Sequence, residues 1–68
     1  MKKKMLEEKY CVILYFQGDQ FYLDQNLNTT NGIIEMKKEV AEDVAIREYD
    51  KLRRFKITDN YEVCIRKV

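Results

Sequence analysis

The chain has 68 residues, of which 46% are hydrophobic and 37% charged, and its formal net charge is +1. This length predicts one small domain over residues 1–68, which a partner or a second copy would help to stabilise. With no Pro and only two Gly, the composition excludes a disordered linker. No apolar run approaches the roughly 20 residues that a membrane-spanning helix needs.

The first eight residues are basic at the start and acidic at the end, with only Met5 and Leu6 as consecutive apolar residues. They lack the apolar segment of a signal peptide, so we expect a cytoplasmic chain whose residues 1–8 are flexible. In a reducing compartment, Cys11 and Cys64 are expected to be free thiols.

The densest apolar stretch, residues 10–23, predicts a β-hairpin. Gly18-Asp19 suits a two-residue type II′ turn, because the first central position of that turn needs a positive φ. This turn would pair Leu14 with Leu23. Since side chains alternate between the faces of a strand, the face opposite the core receives four residues of the hairpin. These are Cys11, Ile13, Tyr15 and Tyr22.

The dipeptide Asn31-Gly32 allows two interpretations. As a hairpin turn it would introduce a short third strand over residues 33–36. As a helix start, with Asn31 as the N-cap, it would place Lys37 in the apolar stripe of the helix, which is unfavourable. We therefore favour the strand.

Residues 38–52 are predicted to form the only helix, with an apolar stripe at 100° per residue. Ile46 falls outside this stripe, and Glu48 is placed with Glu42 and Asp43 on or near the solvated side. The stripe consists of Val40, Ala41, Val44, Ala45 and Leu52.

Residues 53–67 are predicted to form a second hairpin around the loop Thr58-Asp59-Asn60. Its alternation places Arg54, Lys56 and Arg66 on the sheet face opposite the helix. The predicted fold is α+β, with the order β-β-β-α-β-β and one helix on one face of a small antiparallel or mixed sheet.

Four segments carry a resemblance: Tyr10-Cys11-Val12-Ile13, Gly18 through Leu23, Ala41 with Ala45, and Tyr61-Glu62-Val63. In this order they resemble small accessory proteins of phages and mobile elements of low-GC bacteria. The resemblance implies a regulator or inhibitor of a host protein, and it implies no shared chemistry.

The charges are segregated along the chain, with residues 17–50 carrying −5 and residues 51–68 carrying +4. One helix cannot cover both sheet faces, so the uncovered face is predicted to bind a protein partner or a second copy, giving a homodimer. The alternative is nucleic acid, because basic and aromatic side chains on an open sheet suit a phosphate backbone and stacked bases. The candidate contact residues are Ile13, Tyr15, Tyr22, Arg54, Lys56 and Arg66.

Catalytic groups are scarce in the sequence. The chain has no His and no Ser, so the commonest general base and the serine nucleophile are missing. We predict a non-enzymatic protein without a cofactor.

A partial calcium pattern occupies the loop after the first hairpin, with Asp24, Asn26, Asn28 and Glu35 at positions 1, 3, 5 and 12. Thr29 stands where the sharp turn of such a loop needs Gly. Because Asn-rich turns are common for backbone reasons, no metal site is predicted.

Overall fold

The computed structural model of the protein describes residues 8–56 and 60–68, which form three strands, one helix and a final strand. The strands make one antiparallel sheet in the order β3-β2-β1-β4, and α1 packs on one face of it. The predicted α+β fold is confirmed. The elements are β1 (Tyr10–Phe16), β2 (Asp19–Leu23), β3 (Thr29–Thr30), α1 (Lys38–Arg54) and β4 (Tyr61–Lys67).

The first hairpin forms with a register two residues away from the predicted one. Leu14 pairs with Phe21 instead of Leu23. The turn residues are Gln17 and Gly18, with φ of 52° and 86°, and positive φ at both central positions is typical of a type I′ turn. A shift of two residues leaves every side chain on its own side of the sheet, so the predicted faces hold.

The third strand comes earlier in the chain than predicted. β3 pairs Thr30 with Tyr22, while residues 33–36 contribute a single bridge, between Met36 and Tyr10. Asn31-Gly32 is therefore not the hairpin turn that the sequence suggested.

The loop over residues 24–28 explains this difference. One carboxylate oxygen of Asp24, Oδ1, accepts hydrogen bonds from the backbone N–H groups of Asn26 (2.8 Å) and Asn28 (2.9 Å). Leu27 has a left-handed φ of 67°. A side chain that binds its own following backbone turns the chain locally, so the reversal occurs directly after β2.

The helix α1 continues to Arg54, two residues beyond the predicted end. Lys51, Arg53 and Arg54 lie in its last turn, where positive charge interacts favourably with the helix dipole. The predicted strand at 53–57 is wrong for residues 53–56, because they are helix and turn. Residues 57–59, which include most of the predicted loop, lie outside the described residues, as do residues 1–7 of the predicted flexible end.

The final strand pairs with β1 instead of closing a second hairpin. Val63 lies opposite Leu14, and Ile65 lies opposite Val12. These residues point to the helix side of the sheet, as predicted for this strand.

The core lies between α1 and the helix side of the sheet. Val12, Leu23 and Val44 are fully buried there, and burial of such side chains is the main favourable term in folding. No helix in residues 8–56 and 60–68 is long and apolar enough to cross a membrane. The buried core cluster consists of Val12, Leu14, Leu23, Met36, Ala41, Val44 and Leu52.

Candidate functional site

The sheet face opposite α1, here called the open face, carries four of the six predicted contact residues. The strand pairing brings Ile13, Tyr15, Tyr22 and Arg66 to this face. Ile13 is 0% exposed, so it belongs to the interior and offers no contact surface. Tyr15 and Tyr22 are half-buried and Arg66 is exposed, which leaves these three side chains accessible.

A hydrogen bond spans the open face above Ile13. Arg66 lies opposite Cys11, and Cys64 lies opposite Ile13. The Arg66 Nη2 nevertheless donates to the Tyr15 hydroxyl at 3.2 Å. This bond joins side chains from the two ends of the face, so it runs above the Ile13–Cys64 pair.

The other two predicted contact residues do not lie on the sheet. Arg54 is the last residue of α1, and Lys56 follows in the turn with a left-handed φ of 57°. The predicted alternation failed for residues 53–56 because the helix continues to Arg54 and a turn follows it. Of the three predicted basic residues, Arg66 alone lies on the described part of the open face. Glu62, on the same face, is acidic.

Both cysteines lie on the open face as free thiols. Burial raises the pKa of the Cys11 thiol. Burial also raises the pKa of the Cys64 thiol, and the hydrogen bond to Glu62 adds to this effect. A raised thiol pKa lowers the thiolate fraction and with it the nucleophilicity, so neither thiol is activated for catalysis.

The strand β4 forms one edge of the sheet. Two hydrogen bonds at the residues that flank β1 show which backbone groups of β4 point towards β1 and which point away from it. The Val68 N–H donates to the Lys9 carbonyl at 2.9 Å, and the Gln17 N–H donates to the Asn60 carbonyl at 3.2 Å. Hydrogen-bonded and non-hydrogen-bonded pairs alternate along an antiparallel ladder. Glu62, Cys64 and Arg66 therefore bond to β1.

The remaining backbone groups of β4 point away from the sheet. They belong to Tyr61, Val63, Ile65 and Lys67, and no described strand pairs with them. A row of unpaired N–H and C=O groups of this length is a template for another strand. We call this row, with its four residues, the β4 edge.

A groove of about 570 Å³ runs beside the β4 edge, between α1 and β4. Tyr49 from the helix and Tyr61 from the strand meet there edge to face, with ring centroids 5.9 Å apart. Ile46, Tyr49 and Ile65 expose 62%, 47% and 40% of their surface. Apolar side chains and unpaired backbone groups therefore lie next to one another on this side of the molecule.

Glu48 corrects the prediction for the acidic residues of α1. It is 2% exposed, in the stripe of Ala41, Val44 and Leu52, and not on the solvated side. Its Oε1 lies 3.3 Å from the Lys51 Nζ but makes no hydrogen bond of good geometry within the described residues. Removing the Lys51 charge would leave a buried carboxylate without a counter-ion.

The loop with the partial calcium pattern has a structural role. The two backbone hydrogen bonds to the Asp24 carboxylate lower the pKa of Asp24. In residues 8–56 and 60–68, no three His, Cys, Asp or Glu side chains are grouped as metal ligands would be.

Sequence reasoning missed the β4 edge as the main candidate site. It assigned the strand a hairpin partner over 53–57, and a paired strand has no outward groups on that side. The available signal was Ile46, an apolar residue outside the helix stripe, which lies beside this edge.

No family model, no curated protein and no solved structure matches the chain. The resemblance to phage and mobile-element accessory proteins stays a prediction.

Proposed function

We propose that the protein is a small non-enzymatic protein–protein interaction module whose binding element is the β4 edge. The observation that carries this proposal is the row of outward N–H and C=O groups on a seven-residue edge strand. Strand addition uses such a row for affinity, and neighbouring side-chain pockets supply specificity.

The groove beside β4 supports the same proposal. A partner strand on β4 would bring its side chains over Ile65 and towards Tyr49 and Ile46, which are among the most exposed large apolar residues of the described chain. Tyr is among the residue types that contribute most of the binding energy when they are buried at the centre of an interface.

A regulator or inhibitor of the phage or mobile-element type would bind in this way, through an extended strand that pairs with the β4 edge. This role follows from the sequence resemblance, and the role and a cytoplasmic location are both part of the proposal.

The experiment is a pull-down that compares the proteins retained by three immobilised forms of the chain. These forms are the wild type, Ile65→Pro and Tyr22→Ala. Pro at residue 65 removes one outward N–H and leaves the bonds to β1 intact, a position where edge strands tolerate Pro. Circular dichroism confirms that each variant folds. Tyr22→Ala is the matched control, because it alters the open face alone.

We expect proteins that bind the wild type to bind Tyr22→Ala and to be lost from Ile65→Pro. Retention of the same proteins by Ile65→Pro, or their loss from Tyr22→Ala alone, would contradict the proposal.

Nucleic-acid binding is the alternative function, through Tyr15, Tyr22 and Arg66 on the open face. Two of the three basic residues predicted for this face, Arg54 and Lys56, lie at the end of α1 and in the turn after it. This alternative predicts affinity for single-stranded nucleic acid that falls steeply with salt and disappears in Arg66→Ala. Absence of binding at low salt would exclude it.

A further inference from the structure

The side chains and backbone groups of β4 complement a second β4 strand. We propose that the strand which docks on the β4 edge is β4 of a second copy of this chain, in antiparallel register, with Cys64 opposite the partner's Cys64. This inference rests on the proposed function and names the partner.

The backbone groups select this register. The outward groups belong to Tyr61, Val63, Ile65 and Lys67. With Cys64 at the centre, Val63 meets the partner's Ile65, and Tyr61 meets the partner's Lys67. All four outward residues of each copy then find an outward residue opposite, as an antiparallel ladder requires.

The side chains favour the same register. Glu62 lies opposite the partner's Arg66, and both side chains are exposed in the single chain. Opposite charges that face one another across two strands are favourable, and so are facing β-branched residues such as Val63 and the partner's Ile65. Each contact occurs twice, because the pairing is symmetric.

The neighbouring symmetric registers lack this match. Centring the pair on Val63 places Glu62 opposite the partner's Cys64. Centring it on Ile65 places Cys64 opposite the partner's Arg66. Neither pairs the two opposite charges, so the charge pattern of β4 discriminates among the registers.

The pairing also explains the exposed residues of α1. Antiparallel symmetric strands are related by a twofold axis perpendicular to the sheet, so both helices lie on the same side. Ile46 and Tyr49, which flank the groove beside β4, then face the groove of the partner across the junction. The apolar patch of one copy thus contacts the same patch of the other copy, as in a self-complementary interface.

Disulfide trapping tests the register. Cys11→Ala leaves Cys64 as the only cysteine. Cys64 and the partner's Cys64 form a non-hydrogen-bonded pair, for which the Cα distance is about 4.5 Å, within the range of a disulfide. Diamide at pH 8.5 takes up the two thiol hydrogens as the S–S bond forms. We expect most of the chain to become covalent dimer.

The matched control moves the single thiol two positions along the strand. It combines Glu62→Cys with Cys11→Ala and Cys64→Ser. In the proposed register the two residue-62 Cα atoms lie about 14 Å apart, beyond the reach of a disulfide. We expect little covalent dimer from it, although residue 62 is the more exposed position.

Charge exchange provides a test without cysteine chemistry. Glu62→Arg is expected to weaken dimerisation about tenfold in sedimentation equilibrium, and Arg66→Glu added to it is expected to restore the affinity. Circular dichroism and the melting temperature show whether each variant is folded.

The outcomes separate this inference from the proposed function. A dimer that traps through Cys64 and is lost in Ile65→Pro supports both. A dimer without the Cys64 crosslink overturns the register. A monomer at every concentration overturns the second copy as partner, and the pull-down with Ile65→Pro then decides the proposed function. A dimer that persists in Ile65→Pro overturns the second copy as the occupant of the β4 edge, and the pull-down again decides the proposed function.

Discussion

The two edges of the sheet are built in opposite ways. The β3 edge consists of Thr29 and Thr30, and the Thr30 hydroxyl donates to the Gly32 carbonyl at 2.8 Å, which ties the strand to its own following loop. The β4 edge is seven residues long and lies beside exposed apolar side chains.

Short polar strands are a common way to prevent edge-to-edge association, whereas long edges with apolar neighbours favour it. Among the described strands, β4 presents a long edge with apolar neighbours, whereas β3 presents a short polar one. The proposed strand addition would therefore take place at the β4 edge and not at the β3 edge.

Removing a core side chain that both edges depend on gives the largest expected effect. Leu23 is fully buried and lies between Val12 of β1 and Thr29 of β3. Leu23→Ala is expected to lower the free energy of unfolding by about 2–5 kcal/mol, a large share of the stability of so small a domain. Urea unfolding measures the loss.

The control for this change is Ile33→Ala, which truncates an apolar residue that is 52% exposed. It is expected to alter the free energy of unfolding by less than about 0.5 kcal/mol. Equal effects of the two variants would contradict the placement of the core.

A lysine placed on each edge in turn compares the two edges directly. Ile65→Lys puts a charge into the apolar surface of the β4 edge and is expected to weaken association about tenfold or more. Thr29→Lys makes the matched change on the β3 edge and is expected to leave association unchanged. Sedimentation equilibrium of both variants measures the difference, and a larger effect of Thr29→Lys would reverse the roles of the edges.

Acid should loosen the β3 edge before the β4 edge. The backbone hydrogen bonds from Asn28 and Asn26 hold the pKa of Asp24 below its ordinary value. The stabilisation is therefore fully present above the unfolded pKa of Asp24, near 3.9 for a model peptide, and it is lost as pH falls through the lower folded pKa.

The protection factors of the Asn28 and Thr30 amides, compared between pH 6 and pH 2.5, measure this loosening. Asp24→Asn is the control, because the amide oxygen still accepts hydrogen bonds but does not titrate in this range. The Asp24 explanation fails if the variant keeps the pH dependence of the wild type.

The smallest expected effect concerns the hydrogen bond across the open face. Tyr15→Phe removes the acceptor of the Arg66 Nη2, but Arg66 is exposed and water replaces the lost partner. We expect the free energy of unfolding to change by less than about 1 kcal/mol, and dimerisation to remain within about twofold of wild type. A large loss of association in this variant would move the binding site from the β4 edge to the open face.

The faces of the strands were predictable from the sequence, and the turns were not. The register of the first hairpin was wrong by two residues, yet Tyr15 and Tyr22 still fell on the predicted face, since side chains alternate with a period of two. The alternation determines the face of a strand residue, whereas the turn type depends on which two residues take positive φ.

The prediction of a strand before β4 and the prediction of an exposed Glu48 failed for different physical reasons. Residues 53–57 are too few for their apolar pattern to distinguish a strand from a helix end, although the basic last turn was a helix signal. Glu48 has the spacing of a core residue, but its charge assigned it to the surface. Glu48 is buried together with Ala41, Val44 and Leu52, and the Lys51 Nζ three residues along the same helix lies 3.3 Å from its Oε1.

Backbone amide exchange along β4, measured over a range of protein concentrations, tests the central claim most directly. The claim that the β4 edge binds predicts that the N–H groups of Val63 and Ile65 exchange rapidly in dilute solution and become protected as the dimer forms. Glu62, Cys64 and Arg66, which bond to β1, provide the internal comparison and should be protected throughout. Concentration-independent exchange at Val63 and Ile65, in a chain that nevertheless dimerises, would contradict the account.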